Sequence, residues 1–353
     1  MRRSADPRDR RVTPPEVFWD RRRIVRGLSL GIGLAALPLP AAARSAAGRS
    51  GRGAQESAGA AEEKERTPLD VPLRRPEIFP AQRNPAFTIP TGIAPQQTER
   101  LLAATHNNFY EFLPGRGGPV WEHTADFEVE PWSVEVVGEC AKPRTFDLDA
   151  LFSFAQEERL YHFRCVERWA MNVPWSGFPL RKLLEAVEPS SKAKHVRFVT
   201  ARRDEQMPGV REASYYDWPY YEGLRIDEAT HPLTFAVMGA YGEPLLKQHG
   251  APIRIAVPWK YGYKSPKSIV RIELVEEQPR TFWQRQPHEY GFLSNVNPYI
   301  PHPRWPQTTS YWLGSEEPFE TQLFNGYAEQ VAGLYPDEPR TPQQPLTQGQ
   351  IAR

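Results

Sequence analysis

The high proline content is the feature that most constrains how this chain can fold. Proline occupies 37 of its 353 positions, about twice the usual share of about 5%. Because proline fixes its own φ angle and has no backbone N–H to donate, it interrupts helices and central strands alike. The sequence therefore predicts short elements joined by many loops and turns, rather than long helices.

Length, charge and cysteine content narrow the class of protein. A chain of 353 residues accommodates one large domain or two ordinary ones. Its 44 Lys and Arg residues almost balance 43 Asp and Glu residues, for a net charge of +1. That balance argues against a dedicated nucleic-acid-binding protein, which should be strongly basic. Two cysteines are too few for a disulfide scaffold or a four-cysteine zinc site.

The N-terminal segment has the layout of an export signal. Residues 1–26 contain nine Arg and four acidic residues, whereas residues 27–43 are uncharged, mildly apolar and end in three alanines. The adjacent Arg21 and Arg22 resemble the arginine pair of a twin-arginine signal. The sequence therefore predicts a cleavable signal over residues 1–43. The alternative is a basic, disordered N-terminus beside a poor membrane helix.

Composition also suggests the division of the remaining chain. Residues 44–69 begin with a stretch rich in Gly, Ala and Ser that lacks large apolar side chains, which is typical of a flexible linker. We expect the main folded domain over residues 70–313. Residues 314–353 carry no recognisable functional motif and are assigned to a C-terminal extension.

Hydrophobic periodicity predicts an α+β fold. Alternation of apolar and polar residues predicts strands, and apolar residues at helical spacing predict a helix with Pro179 in its first turn. In the last predicted strand, Val270, Ile272 and Leu274 are expected to share one face. The tail from residue 281 is expected to pack as irregular structure. The predicted strands span 132–140, 195–200, 253–257 and 268–275, and the predicted helices span 147–151 and 179–187.

Several common catalytic motifs are absent from the sequence. There is no Gly-rich phosphate loop of the GxGxxG or GxxxxGK[ST] kind, no HExxH and no GxSxG. The eight histidines do not cluster at the spacing of metal ligands. Common nucleotide-binding, zinc-protease and serine-hydrolase functions therefore have no support.

The two cysteines have different surroundings. Cys165 lies between Arg164 and Arg168, and nearby cations favour the thiolate, which is both a nucleophile and a soft metal ligand. A core cysteine that happens to lie between two arginines is an equally good interpretation of the residues alone. Cys140 is expected to be an inert thiol at a strand end. A Cys140–Cys165 disulfide is a further alternative in an oxidising compartment.

A cationic loop lies between the last two predicted strands. It contains Lys260, Lys264 and Lys267 among aromatic, Gly and Pro residues, and Arg254 lies near the start of the strand before it. Loops of this kind suit a phosphorylated ligand. The alternative is an ordinary solvated turn.

Five motifs, in order along the chain, resemble the catalytic subunits of bacterial periplasmic protein-methionine-sulfoxide reductases. These are molybdopterin enzymes with the sulfite-oxidase-type fold. The resemblance runs from about residue 107 to residue 313, and the leader agrees with it. The motifs are NNFYEF at 107–112, RCVERW at 164–169 with VPWSGFPL at 173–180, GAPIR at 250–254, VPWKYG at 257–262 and EYGFLSNVNP at 289–298.

The resemblance implies a Mo-molybdopterin cofactor and a set of site residues. It makes Cys165 the thiolate ligand of molybdenum and places Tyr290 and Glu167 in the wall of the substrate site. His249 stands at a position where the family carries Asn, and both side chains can form hydrogen bonds with a pterin or a phosphate. The implied cofactor-binding residues are Asn107, Tyr110, Glu111, Thr200, His249, Arg254, Ser265, Pro266 and Lys267.

The same resemblance implies the activity and the partners. The enzyme would reduce methionine sulfoxide in oxidised periplasmic proteins, with electrons from a haem-containing membrane subunit, since the chain has no haem, flavin or iron–sulfur motif of its own. Three alternatives stay open on the residues alone. They are a sulfite oxidase or small-sulfoxide reductase of the same fold, a metal-free thiol enzyme that uses Cys165, and a non-catalytic exported binding protein.

Overall fold

A computed structural model describes residues 66–115 and 117–343. These residues belong to one compact unit. The predicted signal over residues 1–43 lies outside the described residues, as does most of the predicted linker. Within the described part of the chain, no helix is both long enough and apolar enough to cross a membrane.

The described residues form short helices and strands, as the proline content predicts. Helices of four to six residues alternate irregularly with strands, most of which are short. The helices are α1 (Arg100–Thr105), α2 (Leu148–Phe152), α3 (Leu180–Glu185), α4 (Pro208–Glu212), α5 (Ile226–Ala229) and α6 (Ala328–Val331). The strands are β1 (Ser133–Gly138), β2 (Arg144–Asp147), β3 (Glu157–Arg164), β4 (Trp169–Pro179), β5 (His195–Thr200), β6 (Tyr221–Arg225), β7 (Phe235–Ala240), β8 (Glu243–Pro244), β9 (Arg254–Ala256), β10 (Ile269–Val275), β11 (Thr309–Trp312) and β12 (Pro318–Glu320).

Two mixed sheets organise the chain. The first has five strands in the order β2-β1-β10-β5-β6, and only its β1–β10 pair is parallel. The second has seven strands along the path β12-β11-β4-β7-β8, with β3 paired to β4 and β9 paired to β7. Its β11–β4 pair is parallel and its other pairs are antiparallel. Because strands and helices do not alternate regularly and most strand pairs are antiparallel, the fold is α+β, as predicted.

A bulge in β10 changes one predicted face of the first sheet. Ile272 and Leu274 are buried as expected, but Val270 is only half-buried and Ile269 takes the inward position. The pairing register with β5 shifts between Ile269 and Arg271. An extra residue at a bulge moves the preceding side chains to the other face, which a strict alternation in sequence cannot anticipate.

The predicted helix starts are seen with small changes. The Asp147 side chain caps α2 by accepting a hydrogen bond of 2.8 Å from the backbone N–H of Ala150. Pro179 ends β4 and is the N-cap of α3, so this helix begins at Leu180, one residue later than expected. The buried stripe of α3 is present at Leu180, Leu183 and Leu184.

The tail is more regular than predicted. Residues after 281 include β11 and β12, which extend the second sheet beside β4. Beyond residue 313, Phe324, Tyr327, Val331 and Tyr335 are buried in the main hydrophobic core. The part of the segment assigned to an extension that spans residues 324–335 therefore packs in the same core.

Candidate active site

A single deep cavity brings together almost all the residues that the sequence singled out. It contains about 1130 Å³ of space, including its open mouth. Of the twelve predicted site residues, all except Thr200 line it. The predicted residues in its wall are Asn107, Tyr110, Glu111, Cys165, Glu167, His249, Arg254, Ser265, Pro266, Lys267 and Tyr290.

A tight turn between β3 and β4 carries Cys165. The N–H of Arg168 donates to the carbonyl of Cys165 at 2.9 Å, and the N–H of Cys165 donates to the carbonyl of Trp169 at 3.0 Å. Arg168 adopts a left-handed conformation with φ of 81°. Since β3 is paired with β4 along its whole length, the turn holds the Cys165 side chain firmly in the cavity wall.

The flanking arginines do not activate this thiol in the way that their spacing suggested. Arg164 donates from Nε to Ser310 Oγ at 2.7 Å, and Arg168 donates from Nη2 to Thr309 Oγ1 at 2.7 Å. Burial raises the pKa of Cys165 to about 12, and the charge of Arg164 offsets this only in part. Without a metal or another cation beside it, Cys165 is therefore a protonated thiol at neutral pH.

Asn108 is a site residue that the sequence analysis missed. Its Nδ2 donates to Cys165 Sγ at 3.5 Å and to Glu167 Oε2 at 3.2 Å. Trp169 Nε1 also donates to Glu167 Oε2, at 3.0 Å. The side chain of Asn108 thus joins the two residues expected at the reaction centre. Its position beside Asn107 in the NNFYEF motif was the only clue in the sequence.

Two buried side chains share one backbone carbonyl at another part of the cavity. Asn107 donates from Nδ2 to the carbonyl of Ala103 at 3.0 Å, and His249 Nε2 lies 3.2 Å from the same oxygen. Because a carbonyl only accepts, His249 carries its proton on Nε2, and burial lowers its pKa to about 4. Asn107 Oδ1 and His249 Nδ1 are buried without a hydrogen-bond partner. Unpartnered buried polar atoms in a cavity wall indicate a polar ligand.

Two cations lie in the same wall. Burial lowers the pKa of Arg254 to about 10 and, together with the nearby Arg254 charge, lowers that of Lys267 to about 7. Burial also raises the pKa of Glu111 to about 7. Thr200 lies behind this group and donates from Oγ1 to Glu111 Oε1 at 3.2 Å. An anionic ligand here would restore the positive charge of Lys267.

The other two lysines of the cationic loop do not line the cavity, although the loop as a whole was expected to suit an anionic ligand. Lys260 Nζ binds Glu228 Oε1 at 2.7 Å, and Lys264 Nζ binds Glu222 Oε2 at 2.5 Å. Both lysine side chains are fully buried. A buried cation requires a paired anion, and acidic residues distant in the sequence supply it.

Aromatic side chains form the wall around Tyr290. The Tyr290 ring packs against Trp283, Tyr263 and His302, with ring centroids 5.1, 5.2 and 5.7 Å away. Trp283, Tyr263 and Trp305 line the cavity with it. These last three residues come from separate segments of the chain, so their spacing in the sequence does not bring them together.

Cys140 lies apart from the site. It is half-buried beyond the end of β1, where it forms an isolated bridge with Pro189. Both cysteines are free thiols, so the structure does not contain the disulfide that the sequence left open. Burial raises the pKa of Cys140 as well.

The composition of the cavity wall fits a molybdopterin. A soft sulfur donor suits molybdenum, unpartnered amide and imidazole atoms suit the pterin, and Arg254 and Lys267 suit its phosphate. Among the described residues, no group of three or more His, Cys, Asp or Glu side chains could hold a metal ion.

These features define a molybdopterin-binding oxidoreductase. Residues 121–283 match the family model described as the oxidoreductase molybdopterin binding domain. The chain belongs to the family of protein-methionine-sulfoxide reductase catalytic subunits, because it is 48% identical to curated members over most of its length.

Two of these relatives, both named protein-methionine-sulfoxide reductase catalytic subunit MsrP, show the extent of the similarity. The alignment with the Burkholderia mallei protein covers 72% of this chain and 77% of the relative. The alignment with the Xanthomonas axonopodis pv. citri protein covers 73% and 81%. A crystal structure of the sulfane dehydrogenase SoxCD from Paracoccus pantotrophus is similar with a TM-score of 0.39 and 16% identity, over 63% of this chain and 57% of that one.

Proposed function

We propose that this enzyme reduces methionine sulfoxide residues in oxidised proteins of the periplasm. The names of its relatives support this substrate. The observation that carries the proposal is the position of Cys165 in the wall of an open cavity, beside Asn108 and Glu167. An open mouth is what a side chain attached to a protein requires, since the rest of the substrate has to stay outside.

The residues of the cavity have distinct tasks in this proposal. Cys165 provides the sulfur ligand, and Asn107, His249, Arg254 and Lys267 hold the pterin and its phosphate. When bound, the molybdenum cofactor supplies two-electron oxygen-atom-transfer chemistry. The chain itself binds and orients the cofactor, and its turn from Cys165 to Arg168 fixes the thiolate. The aromatic wall around Tyr290 excludes water from the sulfoxide of the substrate.

The raised pKa of Cys165 favours a metal ligand over a metal-free thiol nucleophile. A nucleophilic cysteine needs a lowered pKa, whereas burial raises that of Cys165 to about 12. A thiol that coordinates a metal ion is deprotonated outright. Cys165 is thus poorly prepared to act alone and well placed to act as a ligand.

The reduction requires two electrons from another protein. Which protein can supply them depends on the compartment in which the enzyme works. We assign this role to a haem-containing membrane subunit. The arginine pair at residues 21–22 and the uncharged stretch up to residue 43 support export by the twin-arginine route and a periplasmic location. That route carries proteins that are already folded, which suits a chain that encloses its cofactor.

Metal analysis combined with an activity assay tests the proposal. Purified protein is expected to contain about one molybdenum per chain and to reduce methionine sulfoxide in an oxidised protein when an artificial electron donor is supplied. Sulfite oxidation without sulfoxide reduction would favour another enzyme of the same fold. A metal-free protein that retained sulfoxide reduction would contradict the proposal.

A further inference from the structure

An exposed tyrosine lies two ring contacts away from the cavity wall. Tyr215 is 68% exposed, which makes it the most exposed large hydrophobic side chain among residues 66–115 and 117–343. Its ring packs on Tyr216, with centroids 4.7 Å apart. Tyr216 in turn contacts Tyr110 at 6.2 Å and Trp283 at 6.0 Å, and both of these line the cavity. The rings therefore form a continuous aromatic strip (Tyr215, Tyr216, Tyr110 and Trp283) from the surface into the cavity.

Arg285 fixes the outer part of this strip. Its guanidinium group lies 4.7 Å from the centroid of the Tyr216 ring, and its Nη1 and Nη2 donate to the carbonyl of Tyr215 at 3.4 and 3.3 Å. Arg285 has no carboxylate partner among the described residues. A cation held in this way contributes a fixed positive charge at the surface.

The composition of the strip is that of a protein-binding surface. Tyr, Trp and Arg dominate the energetically important positions of protein interfaces, and Tyr and Trp bury much area at a small cost in side-chain entropy. A single exposed aromatic residue needs no explanation. A continuous row of aromatic rings that leads into a catalytic cavity does need an explanation, because its outer end leaves an apolar ring in contact with water.

We infer that Tyr215 and Arg285 bind the polypeptide that flanks the oxidised methionine. This inference rests on the proposed function of the cavity. When a sulfoxide side chain enters the cavity, its own backbone has to lie across the mouth. An extended chain advances about 3.5 Å per residue, and the two ring contacts from Tyr110 to Tyr215 measure 6.2 and 4.7 Å. A residue about three positions from the sulfoxide therefore reaches Tyr215.

A series of substrates of increasing length tests the inference. Tyr215→Ala is expected to lower kcat/KM about five- to tenfold for a peptide with four residues on each side of methionine sulfoxide, with most of the change in KM. It should leave kcat/KM for free methionine sulfoxide unchanged. Tyr215→Phe keeps the ring and should behave as the wild type. Leu101→Ala, which removes another exposed apolar side chain (52% exposed) that does not line the cavity, should change neither rate.

Binding measured without turnover separates this inference from the proposed function. The probe is the same peptide with a fluorescent label, and it is titrated with oxidised holoenzyme, which has no electrons to transfer. Tyr215→Ala should weaken binding about five- to tenfold. If the wild type bound the peptide through Tyr215 but did not reduce it in the turnover assay with an electron donor, the proposed function would be wrong and the docking surface would stand. Equal dissociation constants for the wild type and Tyr215→Ala would overturn the docking surface, whether or not the sulfoxide is reduced.

Discussion

Replacing Lys260 tests whether this lysine is a structural residue rather than a ligand of the cofactor. Lys260 Nζ donates three hydrogen bonds, to Glu228 Oε1 at 2.7 Å, to the carbonyl of Leu293 at 2.7 Å and to Asn295 Oδ1 at 2.9 Å. Tyr335 also donates to Glu228 Oε1, at 2.6 Å. Because the side chains of Lys260 and Glu228 are both fully buried, water cannot replace the lost partner in Lys260→Met.

The expected loss of stability is large. Removing one partner of a buried ion pair costs about 3–5 kcal/mol, because the other charge is left without a partner in a medium of low polarity. Two polar acceptors, at Leu293 and Asn295, lose their donor as well. A typical domain is stable by only about 5–15 kcal/mol. Lys260→Met should therefore remove a substantial part of the free energy of unfolding.

Urea denaturation of wild type and variant, both with cofactor, measures this loss. Lys142→Met is the matched control, since Lys142 pairs with Glu188 on the surface, where their side chains are 66% and 53% exposed. An exposed pair contributes about 0–1 kcal/mol. The folded fraction of Lys260→Met should keep its pterin content. A variant of normal stability that lost its pterin would refute the structural role of Lys260.

The loss in the free energy of unfolding caused by Lys260→Met should become smaller as the pH falls. Burial alone would raise the pKa of Glu228, but the charge of Lys260 and hydrogen bonds from Lys260 and Tyr335 hold that pKa below its usual value of 4.5. A lowered pKa stabilises the fold above the unfolded value, and this contribution is lost as the pH falls through the folded value. The difference between wild type and Lys260→Met should therefore shrink as the pH falls. It shrinks first because the unpaired Glu228 of the variant takes up a proton, and then, below about pH 4.5, because the wild type loses its own contribution. A difference that grew in acid would contradict the assignment.

Three further predictions concern the cofactor, the leader and the thiol. Arg254→Ala should lower pterin content, because a buried phosphate that loses a charged partner costs about 1.5–3 kcal/mol; full content by pterin fluorescence would place the phosphate elsewhere. Replacing Arg21 and Arg22 with Lys should retain the protein in the cytoplasm on cell fractionation, because the export receptor distinguishes guanidinium from ammonium groups; normal periplasmic amounts would disprove the twin-arginine route. In cofactor-free protein, Cys165 should react slowly with iodoacetamide at pH 8, since a pKa of about 12 leaves roughly one thiol in ten thousand ionised; rapid labelling by mass spectrometry would contradict this.

Local patterns predicted the elements well, because they depend on neighbours in the sequence. The spacing of apolar residues located β5 and the buried face of α3. The bulge at Ile269 and the strands after residue 281 were missed, because both depend on pairing with distant strands. The proline content correctly predicted short elements. It did not indicate which of the segments expected to be irregular would form strands of a sheet.

Motifs predicted the residues of the candidate site. The expectations that were wrong concerned the partners of charged side chains. Lys260 and Lys267 look equivalent in sequence, yet only Lys267 lines the cavity, because Glu228 pairs with Lys260 inside the core. The arginines beside Cys165 likewise bind β11 and the residues before it rather than the thiol. Partners that come from distant parts of the chain decide where a charged side chain points, and sequence spacing does not reveal them.

The most direct test of the central claim compares two cysteine variants of the holoenzyme. Cys165→Ser should abolish sulfoxide reduction with an artificial electron donor and alter the absorption spectrum of the metal, because a hydroxyl cannot replace a thiolate ligand. Cys140→Ser should keep full activity at a modest cost in stability, since it changes a small half-buried side chain away from the cavity. A Cys165→Ser enzyme that contained molybdenum and reduced methionine sulfoxide at the normal rate would contradict the account.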